Sequence, residues 1–297
     1  MMHMMGEIHP HNSTEMVKNS QTLQAGIYLV ATPIGNLGDI TLRALDVLKR
    51  ADVIACEDTR VTGKLLMHYG IKTRTTSYHD HNEEEKTPQL IAEAQAGKIV
   101  ALVSDAGTPL ISDPGFRLVS EAAKQGVRVI PIPGASSTLA ALSASGLPSN
   151  RFLFVGFLPP KAGIKARIID DLADVPVTII LFESAQRLGA TLAAFAERFS
   201  EREAVVAREL TKLHEEFRRG TLKELATHYE NAGAPKGEVV IIIAPPLQQA
   251  ETHDTDGLLT EALKTLSVKD AASQVAKITG MPRQELYAKA LALKGQP

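Results

Sequence analysis

The stretch IVALVSDAGTPLISDPG, residues 99–115, indicates both the fold class and the kind of site. Its first six residues form an apolar run typical of a buried strand. The twelve residues from Ser104 to Gly115 are mostly Asp, Gly, Pro and Ser. Such a loop exposes backbone N–H and C=O groups, which suits a ligand recognised through the main chain. An ordinary long connection is the alternative, but long ordered loops in compact domains are uncommon unless they are functional.

Similar apolar runs on either side of this stretch predict a parallel sheet. They lie at residues 27–31, 53–56 and 127–133, and segments with helical spacing separate them. These helices are predicted at 41–50, 87–96, 116–125 and 135–145. Strands that alternate with helices indicate βαβ units, and strands that are apolar throughout indicate a sheet covered on both faces. We therefore predict an N-terminal α/β domain over residues 26–148.

A second set of strands follows a break rich in Ser, Gly and Pro at residues 145–152. Apolar runs predict strands at 152–157, 177–182, 204–209 and 239–245, with a further strand at 215–221 that turns into a helix at 222–229. The gaps between these strands are shorter, which indicates antiparallel pairing. We therefore predict a mixed sheet in a second α/β domain over residues 149–246.

The two ends of the chain differ from these domains. Residues 1–25 are expected to be a disordered leader, whose histidines at 3, 9 and 11 fit a solvated tail better than a metal site. A polar linker is predicted at 247–257, before a helical region over 258–297. Its helices, at 258–266, 267–280 and 281–294, have a helix-turn-helix layout, with six Lys or Arg against two Asp or Glu from Lys264 onward. A helical cap on the second domain and a nucleic-acid contact are both open interpretations.

Composition excludes several classes of protein. The chain has 297 residues with 32 Lys or Arg and 34 Asp or Glu, which excludes a strongly basic coat for naked duplex. An apolar fraction of 44% excludes a disordered chain, and the single cysteine, Cys56, excludes a disulfide scaffold. The apolar runs are far shorter than the ~20 residues of a membrane span. We therefore expect a cytoplasmic protein that has no membrane partner.

Two further loops end predicted strands of the first domain, at the edge where open α/β sheets bind ligands. Residues 32–39, TPIGNLGD, contain G-x-x-G but not G-x-G-x-x-G, which argues against a dinucleotide. Residues 131–138, PIPGASST, place small hydroxyl residues at the start of a helix. These side chains either cap the helix or hydrogen-bond a carboxylate or a ribose.

Six motifs, in chain order, carry a resemblance to a known family. They are VATPIGNLGDITLRALDVLKRADVIACEDTR (30–60), LVSDAGTPLISDPG (102–115), PIPGASS (131–137), FES-x-x-R (182–187), ARELTK-x-x-EE (207–216) and KGEVV (236–240). They resemble the tetrapyrrole methylase superfamily and, within it, the bacterial methyltransferases of a cytidine ribose 2′-hydroxyl in 16S ribosomal RNA. The resemblance implies a two-domain tetrapyrrole-methylase-like α/β fold with S-adenosylmethionine in the cleft and no metal. It also implies a homodimer that acts on the decoding region of the small ribosomal subunit.

The resemblance further implies which residues bind S-adenosylmethionine. They come from the three loops and from strand ends of the second domain: Pro33, Ile34, Asp105, Ala106, Gly107, Leu110, Ser136, Ser137, Phe182, Glu183 and Leu210. We expect Glu183 to follow a strand that ends at Phe182. The cofactor has no phosphate and needs no glycine-rich phosphate loop, but its sulfonium is a cation that carbonyl oxygens and a carboxylate stabilise.

Charged residues near the predicted cleft are candidates for the chemistry. Glu57 and Asp58 either complement the start of a helix or orient the ribose hydroxyl. Arg60 and Lys64 are either exposed cations or bind a phosphate, and Arg187 either forms a surface i,i+4 pair or faces the cleft. Two other functions stay open. One is the same fold acting on a tetrapyrrole or another small or protein substrate, and the other is a non-catalytic RNA-binding factor of ribosome assembly.

Overall fold

The computed structural model describes residues 22–246 and 254–294. Most of the predicted leader, including its histidines, and most of the predicted linker lie outside these residues. The described residues up to Pro245 form one compact unit, and those from Pro246 onward form a second. The first unit contains two five-stranded sheets. No helix among the described residues is long and apolar enough to cross a membrane.

The first sheet is parallel throughout, with the strand order β3-β2-β4-β1-β5. Its strands are β1 (Gly26–Val30), β2 (Val53–Cys56), β3 (Thr75–Ser77), β4 (Ile99–Val103) and β5 (Val129–Ile132). Its helices are α1 (Leu42–Arg50), α2 (Thr59–His68), α3 (Glu83–Gln95), α4 (Phe116–Lys124) and α5 (Ser137–Ser145). Alternate residues of β1, β2, β4 and β5 enter two separate apolar clusters. The prediction of a parallel sheet covered on both faces is confirmed.

The second sheet is mixed, with the order β6-β7-β10-β8-β9. Its strands are β6 (Phe152–Phe157), β7 (Thr178–Ser184), β8 (Glu203–Arg208), β9 (Glu216–Thr221) and β10 (Glu238–Ile243). Strands β6 and β7 are parallel and the other pairs are antiparallel, which confirms the predicted mixed sheet. Helices α6 (Ala162–Leu172), α7 (Leu188–Phe199) and α8 (Leu222–Ala232) complete this half.

A shared apolar cluster joins the two halves of the first unit. Ile34 from the first loop and Leu142 from α5 pack with Ile180 and Ile242 on the face of the second sheet opposite its main core. Burial of these side chains favours one arrangement of the two sheets, since apolar area removed from water contributes roughly 25 cal/mol per Å². The loops that end the first sheet are therefore brought against the second sheet.

The second unit consists of three helices around its own small core. They are α9 (Thr255–Leu263), α10 (Val268–Thr279) and α11 (Arg283–Lys294). Leu259, Val275 and Leu286 are fully or almost fully buried together. Gly280 ends α10 in the left-handed conformation, at φ 68°, which confirms its predicted role as a helix stop.

Several predicted boundaries are wrong, and three of them have a clear physical reason or bear on the site. Helix α3 begins at Glu83 rather than at 87, because three glutamates in its first turn complement the helix dipole. Helix α9 begins at Thr255 rather than at 258, because the Asp254 carboxylate caps it and accepts from the Gly257 amide at 2.8 Å. Strand β7 extends to Ser184, so Glu183 lies within the strand, paired with Val239, and does not follow it. Strand β3, a three-residue edge strand, was not predicted.

Candidate functional site

Backbone and side-chain hydrogen bonds join the three loops at the carboxyl ends of the first sheet. Thr32 and Gly107 exchange two backbone bonds, at 2.9 and 3.0 Å, which connect the first loop to the second. The Thr108 hydroxyl donates to the Ala135 carbonyl at 3.1 Å, which connects the second loop to the third. The loops therefore form one surface.

A cavity of about 430 Å³ lies between this surface and the second sheet. Eight of the residues predicted to bind S-adenosylmethionine line it: Ile34, Ala106, Gly107, Ser136, Ser137, Phe182, Glu183 and Leu210. Cavities of this size, largely apolar with a few convergent polar groups, are typical of small-molecule sites. The structure thus brings together residues that are as far apart in sequence as Ile34 and Leu210.

Three predicted cofactor residues do not line the cavity. Pro33 is buried. Asp105 is exposed and accepts a hydrogen bond from the Asp58 amide at 3.1 Å, so its carboxylate faces the Glu57–Asp58 segment. Leu110 has φ 72°, and its side chain packs against the core of the first sheet. The direction of a loop side chain depends on backbone dihedrals that composition does not reveal.

Other cavity residues were not predicted. Asp113 and Thr138 belong to loops that the sequence singled out, and Gly237 and Glu238 belong to the KGEVV motif. The hydroxyl of Thr138 is buried and has no hydrogen-bond partner among the described residues. Its position directly after the predicted serines was the available sequence signal. A buried hydroxyl without a partner costs free energy, so its place on the cavity wall is a mark of a ligand site.

These features fit S-adenosylmethionine. Gly107 has φ 77°, and a Cβ added there would lie 3.2 Å from the Ile34 Cγ2 atom, so the loop leaves room for a ligand only while residue 107 lacks a side chain. Ile34, Phe182 and Leu210 offer apolar surface to a nucleoside, and Thr138 offers an unused hydroxyl. The Asp113 carboxyl group, also on the cavity wall, suits a cationic centre when it is ionised, whereas the Glu238 carboxylate is already paired with the Lys212 ammonium at 3.0 Å.

Strained backbone residues flank the cavity on both sides. Leu110 and Ser112 have φ 72° and 67°, and Glu209 and Thr211 have φ 50° and 64°. Each pair brackets one residue of the cavity wall, Ile111 or Leu210. Non-glycine residues in the left-handed region cost of order 1–3 kcal/mol and cluster at functional sites. The strained residues on both sides therefore support the identification of this cavity as a functional site.

The Glu183 carboxylate is buried and fully engaged. Its Oε1 accepts from the Arg187 Nε and from the Ser184 amide, each at 2.7 Å, and its Oε2 accepts from the Thr191 hydroxyl at 2.7 Å. Arg187 also donates to the Leu158 carbonyl at 3.1 Å. The pair therefore connects β7, α7 and the end of β6, and of its two members Glu183 lines the cavity and Arg187 does not.

The predicted catalytic cluster lies beside the second loop, outside the cavity wall. Asp58 is the N-cap of α2, and it accepts from the Arg60 amide at 2.8 Å and from the Arg60 Nη2 at 2.7 Å. These bonds lower the pKa of Asp58 to about 2 and raise the pKa of Arg60. Arg60 and Lys64 are exposed on the same helix. This geometry fits the structural interpretation, a helix start at Asp58 and exposed cations at Arg60 and Lys64, and the roles in orienting a hydroxyl and binding a phosphate stay predictions.

Glu57 and Asp113 differ from Asp58 in their electrostatics. Burial, followed by repulsion from Asp105 and Asp113, raises the pKa of Glu57. Burial, followed by repulsion from Asp105 and Asp80, raises the pKa of Asp113. A base works best when its pKa lies near the working pH, so the raised values favour these two carboxylates over Asp58 for proton transfer.

Comparison with known proteins gives two matches to described families. Residues 26–226 match Tetrapyrrole (Corrin/Porphyrin) Methylases, and residues 249–294 match the RsmI C-terminal HTH domain. The second match confirms the predicted helix-turn-helix layout. The chain is similar to the Ribosomal RNA small subunit methyltransferase I of Mesorhizobium japonicum, at 54% identity over 93% of this chain and 94% of that protein. It is similar to the protein of that name from Escherichia coli O157:H7, at 44% identity over 94% and 99%.

Solved structures share the fold of the first unit. A uroporphyrin-III C-methyl transferase from Thermus thermophilus, complexed with S-adenyl homocysteine, has a TM-score of 0.52 at 22% identity and covers 74% of this chain and 97% of that chain. A crystal structure of diphthine synthase has a TM-score of 0.57 at 19% identity, over 73% and 89%. These likenesses support the two-sheet architecture.

Proposed function

The chain belongs to the tetrapyrrole (corrin/porphyrin) methylase family, and we propose that it methylates ribosomal RNA, using S-adenosylmethionine as the donor. More specifically, we propose that the acceptor is the ribose 2′-hydroxyl of a cytidine in the decoding region of 16S rRNA. The substrate would be the small ribosomal subunit, and the enzyme a cytoplasmic homodimer. The relatives named for small-subunit rRNA methylation, similar over nearly the whole chain, support this substrate.

The cavity is the observation that supports S-adenosylmethionine as the cofactor. Bound S-adenosylmethionine would supply an electrophilic methyl group on a sulfonium. Gly107 and its neighbours would offer backbone groups to the ligand, Thr138 its hydroxyl, and Ile34 with Leu210 an apolar surface. Transfer is an in-line displacement, so alignment of the acceptor oxygen with the methyl group contributes most of the rate enhancement.

Residues beside the cavity are the ones that we propose contact the RNA substrate. Glu57 would accept a hydrogen bond from the ribose hydroxyl and orient it, with Asp58 holding the start of α2 and Arg60 in place. Arg60 and Lys64, both exposed, would contact a phosphate of the RNA. Arg187 would act through Glu183, which it holds against the cavity wall.

One experiment tests the substrate and the reaction together. Nucleosides from the 16S rRNA of cells that lack this protein should have lost one 2′-O-methylcytidine by mass spectrometry, and the purified enzyme with S-adenosylmethionine should restore it on isolated small subunits. An unchanged modification profile in the deletion strain would exclude the rRNA substrate. A tetrapyrrole methylase would leave rRNA unchanged, and a non-catalytic assembly factor would bind subunits without methyl transfer.

A further inference from the structure

A second pocket, which we name the basic pocket, opens on the face of the second sheet that carries α8. It has a volume of about 340 Å³, and Arg208, Arg218 and Lys236 line it together with Glu216, His228 and Tyr229. Three cationic side chains face one carboxylate there. The C-terminal end of α8 also borders the pocket, with a charge of about −0.5 from the helix dipole. The cations outweigh both negative contributions, so the pocket favours an anion.

Glu216 bridges the two arginines and leaves some of their N–H groups without an acceptor. Its Oε2 accepts from the Nε and Nη2 of Arg208 at 3.1 Å each, and its Oε1 accepts from the Arg218 Nη2 at 2.7 Å. Although burial opposes ionisation of this carboxyl, the hydrogen bonds from the two arginines lower the pKa of Glu216. The carboxylate is therefore charged at neutral pH, and it fixes the guanidinium planes.

One nitrogen of Arg218 and the ammonium of Lys236 make no side-chain hydrogen bond or ion pair with the described residues. The Nε of Arg218 is shielded from solvent and donates no hydrogen bond within residues 22–246 and 254–294. Lys236 is exposed, and no carboxylate of that part of the chain lies within ion-pair distance of its Nζ. The exposed Lys236 ammonium is therefore available to an anion that enters the pocket, whereas the shielded Arg218 Nε is not accessible to one.

The basic pocket and the cofactor cavity lie on opposite faces of the second sheet, because Arg208 and Arg218 pair with Val239 and Val206 of the main core, whereas Val240 belongs to the cluster on the cavity face. Two short segments connect the two sites. In the turn before β10, Lys236 lines the pocket, whereas Gly237 and Glu238 line the cavity. At the end of β8, Arg208 lines the pocket and Leu210 lines the cavity. The Arg208 Nη1 also donates to the Lys236 carbonyl at 3.1 Å, which fixes these two segments to each other.

We propose that the basic pocket binds a backbone phosphate of the RNA that enters the cofactor cavity. This inference rests on the proposed function, because it takes the acceptor to be a polynucleotide. An RNA strand whose target ribose reaches the cavity carries phosphates on the neighbouring nucleotides, and a fork of arginines with a lysine suits a phosphate. The pocket sets the register of the strand, since phosphate contacts position a nucleic acid and carry no sequence information.

Lys236→Gln and Arg218→Gln test the assignment, with Lys223→Gln on α8 as the matched control outside the pocket. Binding to purified small ribosomal subunits is measured at a series of salt concentrations, and S-adenosylmethionine affinity by calorimetry. Each pocket variant should weaken subunit binding by about tenfold and reduce the slope of log K against log salt by about one. Cofactor affinity should stay at the wild-type value, and the control should change neither quantity.

The outcomes separate this inference from the function on which it rests. If the wild-type enzyme methylates subunits while Lys236→Gln, on an exposed turn, binds them with wild-type affinity and salt slope, the inference alone is overturned. If the wild-type protein neither binds nor methylates small subunits, the proposed function fails and the inference with it. If Lys236→Gln loses affinity for inorganic phosphate but not for subunits, the pocket is a free-phosphate site and the RNA assignment is overturned.

Discussion

Gly107 is the residue at which backbone conformation and ligand space coincide. Its φ of 77° favours glycine, and an added Cβ would lie 3.2 Å from Ile34 on the cavity wall. We predict that Gly107→Val abolishes S-adenosylmethionine binding in calorimetry, because the side chain fills the cavity and strains the loop. Gly97→Val separates these two causes: Gly97 has φ 90°, but a Cβ there meets nothing within 4 Å. Unchanged cofactor affinity in a folded Gly107→Val protein would refute the placement of the cofactor.

Glu57 is a residue whose raised pKa makes a testable prediction on pH. Its carboxylate must be ionised to accept a hydrogen bond from the ribose hydroxyl, so kcat should rise as pH increases through this raised pKa. Glu57→Gln should lower kcat by ~10²–10⁴ if the group is a base. It should also remove the fall in kcat at low pH that protonation of Glu57 causes in the wild-type enzyme. Single-turnover methylation of purified subunits across pH measures both. Exposed Glu84→Gln is the control, and a wild-type profile in Glu57→Gln would exclude the residue from the chemistry.

The same residue links pH to stability. The pKa of Glu57 is higher in the folded protein than its ordinary value, so its ionisation disfavours the fold. We expect Glu57→Gln to be more stable than the wild-type protein at neutral pH. This difference should disappear as pH falls through the folded pKa to below the ordinary value, where both proteins carry a neutral group. Chemical denaturation at a series of pH values measures it, and a Glu57→Gln protein less stable at neutral pH would contradict the burial and repulsion that raise this pKa.

At the scale of elements, the sequence predicted the buried strands best. Strands such as β2 and β4 are short apolar runs, and that pattern alone predicted them. The starts of α3 and α9 could not be predicted from apolar spacing, because a run of glutamates and an Asp254 cap determine them. The loops of the site were predictable as loops. Which of their side chains enter the cavity was not, as Leu110 shows, because its positive φ turns the side chain into the core.

Strand β7 and helix α7 are connected by Glu183 and Arg187, and this connection predicts an effect on stability. The Glu183 side chain has no exposed surface, and removal of Arg187 would leave its carboxylate with only the Thr191 hydroxyl and one amide. Arg187→Ala should destabilise the protein by about 2–4 kcal/mol, because it leaves a buried charge uncompensated. Chemical denaturation of the two proteins measures the difference.

A surface pair provides the matched control for that variant. Arg198 and Asp170 are both about half exposed, so Arg198→Ala should cost at most about 1 kcal/mol. If Arg187→Ala keeps wild-type stability and cofactor affinity but loses methyl transfer, Arg187 contacts the substrate directly. The proposal that Arg187 acts by positioning Glu183 would then be wrong. The sequence hypothesis, in which Arg187 faces the cleft as a catalytic residue, would replace it.

At the scale of the whole molecule, the charge is close to neutral, so binding to RNA depends on local groups. Lys and Arg number 32 against 34 Asp and Glu over the chain. The excess of basic residues that the sequence shows from Lys264 onward falls in the second compact unit, which has its own core and matches a helix-turn-helix domain. Contact with a preassembled subunit, rather than with naked duplex, is the kind of binding that such a distribution supports.

Deletion of residues 247–297 tests what the second unit contributes. The cavity residues all lie in the first unit, so the truncated protein should bind S-adenosylmethionine with wild-type affinity. We predict weaker binding to small subunits and a salt slope reduced by about one for each phosphate that the truncated protein no longer binds. Full-length Lys277→Gln with Lys294→Gln, both in the helical unit, distinguishes the effect of charge from the effect of removing the fold. Full methylation of subunits by the truncated protein, at the same enzyme concentration, would show that this unit takes no part in RNA binding and would leave the first unit as the whole of the recognition surface.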